Sequence, residues 1–232
     1  MIPKLIHKVM IVDGGATPEF PDGMTESIEA FKDKNPTHKI ILYNEKDCLK
    51  FIKNNYDERI VNCFNDIKPY AYKSDLFRYL VLYKLGGWYS DIRQVALESF
   101  DTLSKDFYCA IDTPPNQMCM YNAIIGSIPG HPIMKKVIDL CVFNIEHRHY
   151  GMDCLYITGP GVFMAACVDY VRRGMPGVSI GRHIVDRDGA GFVAFDRKVI
   201  VKNKYNNASG ADNSDIKGTN DYGVMWRAWD VY

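Results

Sequence analysis

The chain opens on an apolar run, IPKLIHKVMIV, and the spacing of apolar and polar positions over residues 3 to 12 predicts a buried first strand. Glycine and proline punctuate VDGGATPEFPDG, so this segment reads as a loop. A helix is expected from near Thr25 to just before Pro36, because proline lacks an amide hydrogen and disfavours helical geometry in the residue before it. HKIILYN is the next strand. Asn44, with Asp47 three places on, marks a helix start that runs to about Asn54, and residues 60 to 64 read as a short strand or turn. A further helix is expected to begin at Asp75 under a Ser74 cap, with Leu76, Phe77, Leu80, Val81 and Leu85 on its buried side. Gly86 then fits a left-handed C-cap, and Gly87 lets the chain turn into the strand WYSD.

In the second half, Pro132 opens an apolar helix that runs to about His147. Another follows ITGPG and reaches Arg172 or Arg173 before Gly174. The last 30 residues are rich in Asn, Asp and Gly until the aromatic tail YGVMWRAWDVY. Alternating strands and helices predict an α/β chain with a mainly parallel central sheet flanked by helices. With no internal repeat or long linker, residues 1–232 read as a single domain. Such sheets bind ligands beyond the C-terminal ends of their strands, which singles out the residues after VMIV and around SDI.

Charge and cysteine content narrow the function classes. Twenty-eight basic residues balance 28 acidic ones, so no global field draws nucleic acid or anionic lipid, and Arg172 with Arg173 is a local patch at most. The apolar runs fall short of the roughly 20 residues that span a bilayer. The start shows no leader pattern, so a cytoplasmic chain is expected, meeting a membrane only peripherally. Seven cysteines, at 48, 63, 109, 119, 141, 154 and 167, form no CxxC and lie mostly in apolar segments. They read as buried free thiols rather than disulfides or a zinc site.

The chemistry concentrates in KSDLFRYLVLYKLGGWYSDIRQV, residues 73 to 95. Asp75 and Arg78 are three apart on a helix and share a face; spacing alone is also compatible with a plain surface pair. The Gly-Gly corner returns Asp91 toward Asp75. An aspartate accepts sugar hydroxyls, and the guanidinium fork of Arg78 donates to hydroxyl or phosphate oxygens. Other polar positions have simpler readings. His7 lies within an apolar strand and reads as a core histidine, and His131 before Pro132 shapes a helix entry. TGPG at 158 to 161 lacks the spacing and lysine of a P-loop, so Thr158 reads as a cap. Asp112, after FYCAI, sits at a second strand end, where it is either an acceptor-recognising group or an exposed loop carboxylate.

The run SDLFRYLVLYKLGGWYSDI resembles the signature of the retaining sugar transferases with a DxD motif. That family includes capsular-polysaccharide synthesis enzymes, yeast-type initiating mannosyltransferases and, more remotely, glucosylating toxins. IPKLIHKVMI, NAIIGSIPGHPIM and ITGPGVFM extend the resemblance in order along the chain. The resemblance implies a GT-A type fold, a nucleotide-sugar donor, a glycan or lipid-linked glycan acceptor, and transfer with retention. It implies that Asp75 and Arg78 hold the donor sugar, with Asn122 in the same pocket, and that Asp91, the first acid of DxD, approaches donor hydroxyls and the metal region.

The second DxD acid is replaced by Arg93, which repels a divalent cation such as Mn2+ or Mg2+ but carries a charge that can neutralise a diphosphate. In an extended strand, residues 91 and 93 point to the same side, which puts Arg93 in the vacated metal region and favours metal independence. Met10 stands where the family often has a tryptophan near the nucleotide base. Trp226 and Arg227 in the tail are candidates for a lid over the donor. Arg93 also keeps open a noncatalytic glycan- or nucleotide-sugar-binding protein on the same scaffold.

Overall fold

The computed structural model describes residues 1–14, 20, 22–113, 119–173, 176–203 and 220–232. Strands β1 (Leu5–Val9), β2 (Lys39–Tyr43), β3 (Gly87–Ser90), β4 (Gln94–Ala96), β5 (Phe107–Ile111), β6 (Met120–Ser127), β7 (Val178–Val185), β8 (Gly191–Phe195) and β9 (Lys198–Asn203) join in one sheet. Their order is β2-β1-β3-β6-β5-β7-β8-β9-β4. The parallel pairings are β1 with β2, β1 with β3, and β5 with β7; the other five are antiparallel. The α/β sheet flanked by helices is therefore present, with its parallel strands concentrated at the N-terminal edge.

Chain geometry forces this sheet to curl. β3 and β4 are separated only by Asp91, Ile92 and Arg93, yet they stand third and ninth in the strand order. Six strand spacings of about 4.8 Å amount to roughly 29 Å across a flat sheet, whereas four Cα steps reach about 14 Å at most. The far edge must therefore bend back beside β3. One cluster fills the hollow of the curl, with Trp88 stacked on Phe100 at 4.1 Å and Tyr108 and Phe195 beside it.

The larger cluster lies under the helices. These are α1 (Asp22–Lys34), α2 (Glu45–Asn55), α3 (Glu58–Asp66), α4 (Tyr70–Leu85), α5 (Pro132–Glu146), α6 (Pro160–Arg173) and α7 (Tyr222–Arg227). α2 opens on the expected Asn44–Asp47 capping box. Residues 60 to 64, expected as a strand or turn, belong instead to α3: Asp57 accepts the Ile60 amide at 3.2 Å, and Val61 and Phe64, three apart, face the core. The same i, i+3 pair fits a one-turn apolar stripe better than a strand alternation.

α4 is apolar on nearly every side, as a central helix must be, and residues Tyr72 through Leu82 are largely buried. Leu76, Phe77, Leu80 and Val81 are fully enclosed as expected, each contributing roughly 1.5–3 kcal/mol by leaving water, and Leu85 is partly so. The helix does not begin at Asp75 under Ser74. It starts at Tyr70 after Pro69, and the Tyr70 amide donates to Asn220 Oδ1 at 2.8 Å, so a side chain 150 residues away supplies the cap. Ser74 and Asp75 therefore lie inside the helix. At the other end Gly86 has φ 66° and Gly87 φ 100°, and the Gly86 amide closes the helix on Leu82 O at 2.9 Å.

Other local expectations resolve simply. His131 accepts the Ile133 amide at the start of α5. His7 is enclosed, donating through Nε2 to Gly86 O at 3.0 Å and accepting at Nδ1 from the Tyr43 hydroxyl at 3.1 Å. Burial holds its pKa near 4, so the ring is neutral. All seven cysteines are free thiols. No helix among the described residues is long and apolar enough to cross a membrane. Gly174, part of the segment VDGGATPEFPDG and most of the Asn-, Asp- and Gly-rich stretch lie outside the described residues.

Candidate functional site

α4, the corner after it and β6 bring four sequence candidates to one cavity of about 290 Å³, lined among others by Asp75, Arg78, Asp91 and Asn122. Asp75 Oδ1 lies 3.1 Å from Arg78 Nη2 and accepts the Asn122 side-chain amide at 2.9 Å. Its Oδ2 accepts the Thr158 hydroxyl at 3.2 Å. Arg78 Nη1 donates to the Asn122 carbonyl at 2.7 Å, and Nη2 stands 3.6 Å from Asp91 Oδ1. The guanidinium lies 4.4 Å from the centre of the Tyr89 ring, whose hydroxyl donates to Asp91 Oδ1 at 2.9 Å. Asp75 and Arg78 are thus an enclosed pair, 7% and 5% exposed, not a surface pair.

Burial lifts the Asp75 carboxyl to about 6, against the pull of Arg78. Burial opposes the charge on Arg78 as well, but Tyr89, Asp75 and Asp91 together leave its pKa raised. The side chain of Asp91 is 35% exposed and is the open face of the cluster. Thr158, read as a helix cap, spends its hydroxyl on Asp75, while Gly159 and Pro160 carry the start of α6 to the cavity wall.

Asp91, Ile92 and Arg93 are a turn rather than the end of an extended strand: the Gln94 amide bonds back to Asp91 O at 3.1 Å. The alternation that would put residues 91 and 93 on one side therefore does not apply, because the chain is crossing from β3 to β4. Arg93 is half-buried, its carbonyl accepts from Ser27 Oγ at 3.4 Å, and it lies outside the cavity wall. Met10 also lies off the wall, packed against the Met24, Ile28 and Ile92 cluster.

In the tail, Tyr222 reaches the cavity, whereas Trp226 donates its indole N–H to Tyr150 O at 2.8 Å and Arg227 is exposed. Asp112, at the end of β5, lines the cavity and is mostly enclosed rather than an exposed loop carboxylate.

Sequence reasoning passed over Lys8. This side chain is fully buried, donates to Ser90 Oγ at 3.1 Å and to Asp91 O at 3.2 Å, and stands 3.8 Å over the Phe31 ring. Burial pulls its pKa down to about 7, with Asp91 opposing. A lysine in the middle of an apolar strand was the available signal. Lys8 ties the Asp91 turn to β1 from beneath.

Among the described residues no set of side chains by itself completes the coordination of a divalent cation. Asp91 Oδ1 is shared between Tyr89 and Arg78, the position two residues on is an arginine, and no cluster of three His, Cys, Asp or Glu side chains occurs among the described residues.

Residues 21–108 match the family model described as "Glycosyltransferase sugar-binding region containing DXD motif". The chain is 28% identical over 166 residues to inositol phosphoceramide mannosyltransferase 2 of Schizosaccharomyces pombe, covering 69% of this chain and 44% of that protein. It is 25% identical over 192 residues to the initiation-specific alpha-1,6-mannosyltransferase of Candida albicans, covering 66% and 49%. It therefore spans about half the length of the curated relatives it matches. Among solved structures it is similar to the PaToxG glycosyltransferase, with TM-score 0.57 and 23% identity over 74% of this chain and 70% of that one. A second similar structure is the UDP-bound glycosyltransferase domain of the YGT toxin, with TM-score 0.54 and 11% identity over 77% and 79%. The fold is of the GT-A type these domains share.

Proposed function

We propose that this chain, whose residues 21–108 match the model of the glycosyltransferase sugar-binding region containing a DXD motif, transfers a sugar from a nucleotide-sugar donor to a glycan or lipid-linked glycan acceptor, with retention of configuration. The observation that carries the reading is the enclosed Asp75–Arg78–Asn122 cluster opening on Asp91 in one cavity. The names of the relatives favour mannose as the transferred sugar and an inositol-containing sphingolipid or a glycan as acceptor.

In this proposal, Asp75 accepts donor-sugar hydroxyls and Arg78 donates to sugar or phosphate oxygens. Asp91, the exposed carboxylate, orients donor hydroxyls. With only one acid at the motif, charge on the departing diphosphate is met by Arg78 at the cavity wall and by Arg93, which stands off the wall in this structure and reaches the diphosphate through a shift of the turn at 91–93. α7 closes over the donor with Tyr222 at the wall and Trp226 and Arg227 behind it, while Met10, off the wall, supports the site only through the Ile92 side of the turn. In a front-side path, the acceptor oxygen bonds the anomeric carbon on the face the diphosphate leaves. The bond to the diphosphate breaks with its electron pair on phosphate oxygen, which takes the acceptor's proton. No separate protein base is required.

The test is ligand-observed NMR with GDP-mannose, UDP-glucose and other nucleotide sugars, following binding and donor loss with chelator and with manganese. Turnover in chelator is expected; turnover only with manganese would overturn metal independence. Binding of a donor without transfer to any acceptor and without hydrolysis would favour the noncatalytic scaffold, for which Arg93 is the feature. Arg93→Asp, which restores the acid pair, is expected to lower turnover in chelator on the order of 100-fold and to make the residual activity respond to manganese.

A further inference from the structure

A second carboxylate, Asp112, stands on the same cavity wall, one residue beyond β5. Its Oδ1 accepts from His183 Nδ1 at 2.8 Å and from the Thr113 amide at 2.8 Å. The other imidazole nitrogen accepts from Asn203 Nδ2 at 2.8 Å, and Asn203 Oδ1 accepts from Gln94 Nε2 at 2.9 Å. Gln94 Oε1 accepts from Ser90 Oγ at 2.9 Å, and Ser90 Oγ accepts from Lys8 Nζ at 3.1 Å.

The Asp112 carboxylate only accepts, so the imidazole nitrogen that faces it carries the proton of that bond. His183 therefore presents Nδ1–H to Asp112, and its Nε2 is engaged by the Asn203 side chain. Tyr121, also on the wall, stacks on the His183 ring at 4.2 Å and 23°. The chain links β1, β3, β4, β9, β7 and the end of β5, and its outcome is one oriented carboxylate. Both oxygens of Asp75 are occupied, whereas Asp112 Oδ2 takes no hydrogen bond among the described residues.

We propose that Asp112 binds a hydroxyl of the acceptor, with His183 and Asn203 as its positioning residues; this rests on the transferase reading above. A rigidly held, acceptor-only oxygen selects a group that donates, such as a sugar or polyol hydroxyl, and repels an anion. The donor sugar already has Asp75, Arg78, Asp91 and Asn122, which leaves Asp112 to the second substrate. His183 sets the direction in which Oδ2 faces.

The experiment uses the full chain with GDP-mannose and UDP-glucose as donors and methyl glycosides of mannose, glucose and galactose as acceptors, measuring transfer and donor hydrolysis side by side. Asp112→Asn and Asp112→Ser are expected to raise the acceptor KM and lower the ratio of transfer to hydrolysis, each roughly 10- to 100-fold, with donor KM shifted far less. His183→Gln is expected to give a smaller effect of the same split, which a merely structural role would not produce. Equal loss of transfer and hydrolysis would overturn the proposal by assigning Asp112 to the donor, and an unchanged acceptor KM would overturn it outright. A wild-type chain that neither hydrolyses nor transfers from any donor would refute the transferase reading itself, a failure visible before any variant is made.

Discussion

Two enclosed ionisable groups, Asp75 and Lys8, are shifted in opposite senses by the same cause, and their linkage to pH separates them. Asp75 holds a proton in the folded chain up to about pH 6, against 3.8 for the ordinary carboxyl. Between those values the folded state binds more protons, so this group's contribution to stability falls as pH rises. Lys8 has a folded pKa of about 7 against 10.5. Between those values the unfolded chain binds more protons, and stability rises with pH. Urea midpoints measured from pH 7 to 10 are therefore expected to climb in the wild type relative to Lys8→Met; parallel curves would refute the buried-lysine account. Donor affinity is expected to weaken below about pH 6 as Asp75 protonates, and a flat profile from pH 5 to 7 would contradict it. Asp75→Asn leaves Arg78 enclosed without its nearest counter-charge and is expected to destabilise the fold by about 3 kcal/mol, read by urea denaturation. Asp75 and Arg78 were legible because their i, i+3 spacing survives in any helix; their burial was not, since spacing is blind to what surrounds the helix. Lys8 was visible as a lysine in an apolar strand, but its role was not, because its partners, Ser90 and Asp91, are more than 80 residues away.

At the scale of elements, the corner after α4 is the most exacting. A Cβ on Gly86 would meet Pro129 Cδ at 2.6 Å and the Ser127 carbonyl at 2.9 Å, at a φ of +66° that L residues rarely adopt. Gly86→Ala is expected to destabilise by about 1–3 kcal/mol or more and to disturb donor binding by shifting β3 and Asp91; an unchanged melting temperature would refute it. The corner was readable because only glycine tolerates it, and α2 was readable because its cap is local. α3 was less readable, although Asp57 caps it just as locally, because its short apolar pattern separates one helical turn poorly from a strand. The start of α4 was misread because its capping partner, Asn220, belongs to the other end of the chain. The β7–β9 meander went unnoticed although GFVAF carries a strand alternation, with Gly191, Val193 and Phe195 buried. The turn at 91–93 was hidden because only the strand order demands it.

For the molecule as a whole, the C-terminal segment fastens the helical layer. Val231 is fully buried, its carbonyl accepts the Lys68 amide at 2.8 Å, and the Tyr232 hydroxyl donates to His149 O at 2.9 Å. Val231→Ala is expected to cost roughly 1–3 kcal/mol, and an unaltered urea midpoint would show that the segment is not tied down. The curl has a temporal meaning as well. Asp75, Asp91 and Arg93 are neighbours along the chain, but β4 takes its place only by pairing with β9, more than 100 residues later. A chain emerging from the ribosome holds the motif long before it holds the pairing that anchors the turn, and such distant pairing slows folding. The turn that carries Asp91 and Arg93 is thus fixed at both ends only in a chain that has already paired β4 with β9.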